Sequence, residues 1–265
     1  ECRKLVEARN RSRARYIMAE NYCYIRDNVL VKQIVRGGMF GEVYFGEGAY
    51  IHELKGLNEI TTWRRKWQTG INGNTYCTHS LGPIYQWFGG ERVVWVCCYG
   101  TGRHYTDPHG DPYEQEDSTT TACRLANGGL VELRLDMLSN RPHNCTYYSL
   151  QGTKGAYESA RGFGDKPKIY LADRHEGEPQ WHDLQDLAEE FLPEEWLHQS
   201  EEAKRAGHGG GDYMEVFDFV EAVLNDTEPV IGIHESMDMT LPGLVSQQSI
   251  EQGSVWLDVP DSREW

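Results

Sequence analysis

Six β-prone runs constrain this chain most: Val43–Ile51, Val93–Tyr99, Ser118–Leu125, Leu130–Leu138, Tyr147–Gln151 and Lys168–Leu171. They follow one another without intervening helical patterns, which predicts an antiparallel or mixed sheet and not an alternating parallel one. Asn127-Gly128-Gly129 between two of the runs reads as a hairpin turn. Helical patterns flank the sheet: residues 1–11, about Asp27–Arg36 ending at Gly37-Gly38, amphipathic Leu184–Phe191, a helix opening near Asp212, and about Glu235–Gln252. Asp212 is expected to cap its helix, with Val216, Phe219, Val220 and Val223 as the buried stripe. Tyr16-Ile17-Met18-Ala19 reads as a short buried strand, and Val255–Pro260 as an edge strand or extended tail. The expected class is therefore α/β (α+β), a large open mixed or antiparallel sheet with helices on one face. The opening helix–strand–helix order reads as the end of a preceding α/β domain.

At 265 residues and 39% apolar content the chain is long enough for one large core. A net charge of −15 disfavours non-specific binding to nucleic acid, which needs a basic surface to displace counterions. Seven cysteines are present, with no Cys-x-x-Cys pair. Buried thiols in a reducing, cytoplasmic setting are expected. No apolar run is long enough to span a membrane. Asn144-Cys145-Thr146 and Asn225-Asp226-Thr227 match the glycosylation pattern, but such short matches do not establish secretion. The polar stretch 103–117 holds His104, Asp107, His109, Asp111 and Asp117; its spacing fits no compact zinc motif and reads as a solvated loop, so no metal is expected.

Candidate chemistry concentrates in Gly73-Asn74-Thr75-Tyr76-Cys77-Thr78-His79-Ser80-Leu81-Gly82-Pro83. A phenol and an imidazole three residues apart share one face if the segment is helical, and both move protons. Beside it, Trp63-Arg64-Arg65-Lys66-Trp67 reads either as cations paired with carboxylates over packed tryptophans or as one wall of a polar ligand pocket. Tyr50 and His52 alternate on one sheet face, where Tyr50 is either a site residue or a packed strand residue. His208 lies in a glycine loop that reads as a gating loop or as a simple connector. Glu20-Asn21-Tyr22 follows the first strand and either faces a cleft or joins local packing.

Glu20-Asn21-Tyr22-Cys23-Tyr24, Phe40-Gly41-Glu42, Glu47–His52, Gly73–Pro83 and His208-Gly209-Gly210-Gly211-Asp212 together resemble the Gfo/Idh/MocA oxidoreductase family. Within it they are most similar to the NAD-dependent glycosidases of family 109, the α-N-acetylgalactosaminidase-like branch. The resemblance covers nearly the whole chain. It implies that residues 1–24 are the C-terminal remnant of a Rossmann-like NAD-binding domain and 25–265 a substrate-binding and oligomerisation domain. The glycine fingerprint and the Glu-Lys-Pro motif of that family are not in this sequence, so the Rossmann portion would come from a longer parent or a partner chain.

The resemblance also implies the chemistry. In such glycosidases NAD accepts a hydride from sugar C3, the ketone acidifies C2, elimination breaks the glycosidic bond, water adds, and the hydride returns. Carried over, His79 would assist at O3, Tyr50 at C2, and Tyr76 would orient the sugar. Trp63, Arg64, Asn74, His52 and His208 would bind the carbohydrate substrate, and Glu20, Asn21 and Tyr22 the cofactor. The open sheet would join copies into a homo-oligomer. A sugar or polyol dehydrogenase would use the same hydride step and stop there; a non-catalytic sugar-binding or oligomerisation domain is a third reading.

Overall fold

The computed structural model describes every residue except His143, and the backbone but not the side chains of Asn144 and Cys145. The Asn144 glycosylation match and the Cys145 thiol therefore fall outside the described residues.

Nine strands are seen among the described residues: β1 (Val43–Ile51), β2 (Val93–Gly100), β3 (Ser118–Leu125), β4 (Leu130–Asp136), β5 (Asn144–Gly152), β6 (Gly155–Glu158), β7 (Lys168–Leu171), β8 (His182–Asp183) and β9 (Leu257–Asp258). They form one open sheet in the order β8-β7-β6-β5-β1-β4-β3-β2-β9. All neighbours are antiparallel except β1 and β4, which run parallel with Phe45 opposite Leu130 and Ile51 opposite Asp136. The expected mixed sheet is thus present. Sequence reading missed β6 and β8, which are too short for a periodic signal. The hairpin at Asn127–Gly129 joins β3 to β4, and Gly128 takes the positive φ of 90° that such a turn needs.

Helices α1 (Cys2–Asn10), α2 (Arg26–Arg36), α3 (Lys55–Ile60), α4 (Thr62–Trp67) and α5 (Cys77–Trp87) precede the middle of the sheet. Short turns α6 (Ala188–Phe191), α7 (Glu194–Leu197) and α8 (Glu201–Arg205) lead to α9 (Gly211–Leu224) and α10 (Ile233–Glu251). The main core lies where α2, α5 and α10 cover one sheet face. There Leu81, Ile84 and Trp87 of α5 share a buried cluster with Val131, Leu133, Tyr148 and Leu150 of the strands. Trp87 meets Tyr148 and Tyr157 edge-on at 5.7 and 5.5 Å, and its indole N–H donates to the Asn28 carbonyl.

Four expectations need correction. Residues 16–19 form no strand: Met18 N–H donates to the Ile231 carbonyl, but no neighbouring strand supplies a ladder. The α9 stripe is reversed, with Val216, Val220 and Val223 about half-exposed and Phe219 only partly buried. The buried face of α9 instead carries Gly211, Met214 and Ala222. Asp218 on that helix accepts from the Tyr24 hydroxyl at 2.7 Å. Asp212 is not the cap: Gly210, in the left-handed region at φ 94°, holds that position, and Asp212 lies in the first turn. The 103–117 loop is anchored and not simply solvated, since Asp107, Tyr113, Gln115 and Asp117 are buried and Arg65 pairs with Asp107.

Of the cysteines, Cys23, Cys77, Cys98 and Cys123 are buried free thiols, whereas Cys2 and Cys97 are partly exposed. Burial raises the thiols of Cys23, Cys77 and Cys123 well above their usual range, and that of Cys98 to about 11, so none of these four is poised as a nucleophile. No helix among the described residues is long and apolar enough to cross a membrane.

Candidate active site

The site grows from the N-terminus of α5. Tyr76 occupies the cap position and His79 lies in the first turn. Their rings meet edge to face at 4.7 Å, so the predicted shared face exists. The helix is brought against β1 because Gly48 has no side chain: a Cβ there would stand 2.2 Å from the Ser80 carbonyl oxygen. Pro83 lies inside α5 and cannot donate to the His79 carbonyl, four residues earlier. The Tyr148 hydroxyl donates to that carbonyl instead, which ties the catalytic candidate to the sheet.

Three tyrosines surround the His79 imidazole. Tyr22, from the single-turn helix Asn21–Tyr24, lies 4.2 Å from it, centre to centre, and Tyr50, near the end of β1, lies 5.3 Å away. Tyr50 stacks on Tyr76 at 4.5 Å and shares a 2.8 Å hydrogen bond with His52 Nδ1, so these two strand residues do use one face. Glu20 is 2% exposed, and its Oε1 stands 2.7 Å from His79 Nδ1. The contact is close but off the hydrogen-bond direction, because Nδ1 has no aligned partner. Glu20 Oε1 also accepts from the Tyr22 backbone N–H at 3.3 Å. With Nδ1 facing the carboxylate, Nε2 is the nitrogen offered to a substrate. Gly82 makes room: a Cβ there would lie 2.9 Å from Cys23 Sγ and 3.1 Å from Glu20 Cγ.

The glycine loop arrives from the far end of the chain. His208 lies 5.6 Å from the Tyr22 ring, and its Nδ1 is 2.8 Å from Asp212 Oδ1. Asn21 Nδ2 reaches both, at 3.1 Å from His208 Nδ1 and 3.2 Å from Asp212 Oδ1. An aspartate therefore orients this imidazole as Glu20 faces the other.

A cavity of about 450 Å³ opens beside His79, bordered by Glu20, Tyr76, Asn74, Trp63, Trp67 and, on α10, Gln247. Trp63 and Asn74 thus join the site. Arg64 does not border the cavity; its guanidinium lies 4.3 Å from the centre of the Trp63 ring and bonds to Gln68. A second cavity, of about 330 Å³, opens on the uncovered sheet face beside Glu47, Arg134 and Arg161, away from this cluster.

Sequence reading missed three residues. Trp67 appeared only as part of a cluster, although four-residue spacing from Trp63 places it on the same helix face. Asp212 was read as a cap. Glu215 was not considered; burial, with Asp212 and Glu20 adding like charge, pushes its carboxyl up to about 7. Asp212, Glu215 and Asp218 recur every three residues on α9, a period that competes with the apolar stripe and was the available signal. Among the described residues no group of three or more metal-binding side chains converges.

The family described as "Glycosyl hydrolase 109, C-terminal domain" matches residues 24–264. A glycosyl hydrolase family 109 protein of Saccharopolyspora erythraea is 31% identical over 97% of this chain and 58% of its own length. One from Shewanella pealeana is 29% identical over 98% of this chain and 61% of its own. The chain therefore spans somewhat over half the length of these relatives. Among solved structures, levoglucosan dehydrogenase in complex with NADH and levoglucosan superposes with a TM-score of 0.78 at 17% identity, covering 98% of this chain and 70% of that one. An NAD binding oxidoreductase from Klebsiella pneumoniae gives 0.75 at 15% identity, with the same coverages. These structures share the fold. By the span of the family match and the identity to its members, the chain belongs to glycosyl hydrolase family 109 and carries that family's C-terminal domain.

Proposed function

We propose that this chain is the substrate half of an NAD-dependent glycoside hydrolase acting on α-N-acetylgalactosaminides by a redox-neutral elimination and addition. The observation that carries the reading is the buried Glu20–His79 pair, walled by Tyr22, Tyr50 and Tyr76 and open to a cavity of ligand size. Residues 1–24 act as the end of the nucleotide-binding domain and 25–265 as the substrate and assembly domain, with the open sheet joining copies.

Glu20, Asn21 and Tyr22 would hold the nicotinamide end of NAD. The fit rests on Asn21 Oδ1, a buried carbonyl without a hydrogen-bond partner and so able to accept from a carboxamide N–H. The phosphate-binding turn would come from a longer parent or from a partner chain. When bound, the cofactor supplies reversible hydride removal at sugar C3.

This chain's own residues handle the protons. His79 takes the O3 proton through Nε2, and the Glu20 carboxylate stabilises the imidazolium that forms. The Tyr50 hydroxyl, hydrogen-bonded to His52 Nδ1 at 2.8 Å, moves the proton at C2. Tyr76 fixes the sugar plane by stacking on Tyr50 and lining the cavity. His208, oriented by Asp212, approaches the site from the glycine loop behind Tyr22.

The test uses the full-length enzyme with nitrophenyl N-acetyl-α-galactosaminide, reading nitrophenol release and absorbance at 340 nm together. Release without net NADH accumulation is expected, with His79→Ala lowering kcat by about 10²–10⁴-fold, the usual worth of a general acid–base group. Steady NADH formation from free sugar, without glycoside cleavage, would replace this reading with a sugar dehydrogenase.

A further inference from the structure

Pro83 deprives the His79 carbonyl of its helical partner. In an unbroken α-helix the N–H of residue 83 would bond to that oxygen, and the proline ring has none to give. Ser80, Leu81, Gly82 and Pro83 are all buried, so an unpaired carbonyl in this turn is costly. The donor that replaces the lost N–H comes from 69 positions further along the chain: the Tyr148 hydroxyl on β5.

Tyr148 is suited to be a fixed donor. It is 2% exposed, and its ring meets Trp87 edge-on. Burial, with the Glu20 carboxylate opposing a second negative charge, raises its phenol well above the ordinary range. The oxygen therefore keeps its proton wherever an imidazole titrates. On the sheet Tyr148 lies opposite Gly48 of β1, the residue whose missing side chain admits the Ser80 carbonyl. Two adjoining sheet positions thus receive two consecutive carbonyls of α5.

A helical bond would have tied His79 only to its own helix, whereas Tyr148 ties it to the sheet. Tyr50 stands on that sheet, two residues beyond Gly48 and on the same face of β1. The 5.3 Å between the His79 and Tyr50 rings is therefore set by β1 and β5, and not by how α5 settles on its own. Reacting groups tolerate little misplacement, since about 1 Å is worth about 10²-fold in rate. Tyr148 does not border the cavity, so its effect on a sugar passes through His79.

Resting on the role given above to His79 as the base at O3, we propose that Tyr148 is a positioning residue for catalysis. Its hydroxyl holds the His79 backbone at working distance from Tyr50, and Pro83 keeps the His79 carbonyl free for that bond.

Tyr148→Phe in the NAD-loaded full-length enzyme removes the hydroxyl and leaves the ring against Trp87. With the nitrophenyl glycoside, kcat is expected to fall about tenfold with KM little changed. Adding Pro83→Ala gives position 83 an N–H for the orphaned carbonyl, but the new bond lies within the helix and not to the sheet. The double variant should therefore regain the urea midpoint that the single one loses, while kcat stays low. Parental kcat in Tyr148→Phe overturns the proposal. So does a double variant whose kcat recovers together with its stability, since pairing the carbonyl would then be all that Tyr148 does. If Tyr148→Phe alone does not fold, the double variant decides by the same comparison of kcat with the parent. NADH accumulation without glycoside cleavage in the parent overturns the glycosidase reading alone. The variants are then compared by absorbance at 340 nm, because a base at O3 serves either reaction.

Discussion

Glu20 shows how much of the site depends on single side chains. A carboxylate that is 2% exposed is costly unless it is paired, and the chain sets it 2.7 Å from an imidazole. Glu20→Gln keeps the shape and the acceptor for the Tyr22 N–H, but removes the charge that steadies His79 as it gains a proton. In the full-length enzyme kcat is expected to fall about 10²-fold with KM little changed, as steady-state kinetics would show. Glu215 carries a different signature. Its folded pKa of about 7 lies above the ordinary carboxyl value, so between roughly pH 4.5 and pH 7 the folded state holds a proton that the unfolded state has released. The unfolded state then binds fewer protons, and stability falls as pH rises through that window. Because the group is partly solvated, the loss is about 1 kcal/mol and not the full value of the shift. Glu215→Gln should therefore unfold at higher urea than the parent at pH 8, and at the same urea at pH 4; denaturation curves at the two pH values decide it. The sequence pointed to Glu20 as a cleft or cofactor residue, but neither its approach to His79 nor the burial of Glu215 was visible in it. The Tyr76–His79 spacing announced a shared face, but Glu20 and Glu215 reach the site from turns and helices whose approach depends on tertiary packing.

At the level of elements, α5 is the part that must be placed well, and β1 places it. Gly48 and Pro83 act together: one lets the helix backbone touch the strand, and the other frees the carbonyl that Tyr148 captures. A methyl at Gly48 would meet the Ser80 carbonyl, a backbone atom that cannot rotate away. Gly48→Ala is expected to cost about 3 kcal/mol, at the upper end for overpacking, and to shift His79 enough to lower kcat in whatever protein still folds. Chemical denaturation with activity measured on the folded fraction separates the two effects. The main strands were legible because alternation survives wherever one face is buried, as β3 and β4 illustrate. Helix α9 was misread for the converse reason. It carries two stripes of similar period, an apolar one and an acidic one, and periodicity alone does not say which faces the protein. The turn around Asn21–Tyr24 decides the matter, because it offers hydrogen-bonding groups to Asp212 and Asp218.

For the whole molecule, the uncovered sheet face is the open question of surface energetics. Helices α2, α5 and α10 cover one face, whereas the other presents Trp95 and Tyr99, each about half-exposed, opposite Arg124 and Thr120 of the neighbouring strand. A small cluster of Ala49, Ile51 and Tyr147 on the same sheet lies under the Arg161 guanidinium, which stacks on Tyr147 at 3.5 Å. A broad sheet face carrying exposed aromatics, small residues and charges of both signs suits a second copy of itself, since a two-fold pairing sets each patch against its own image. A stable pairing of this kind buries on the order of 1,200–2,000 Å² in all, and a nine-stranded face offers a surface on that scale. Ala122 lies on this face with Cys97 opposite on β2, so Ala122→Glu would place a carboxylate within the contact without touching the site beside His79. Sedimentation velocity at micromolar concentration should show the parent as an oligomer and the variant shifted to the single-chain mass, with the 450 Å³ cavity still able to bind sugar. A parent that already sediments as a single chain at that concentration would remove the sheet as an assembly surface. A variant that stays assembled would move the contact elsewhere, and the exposed Val216, Phe217 and Val220 on α9 would be the next surface to substitute.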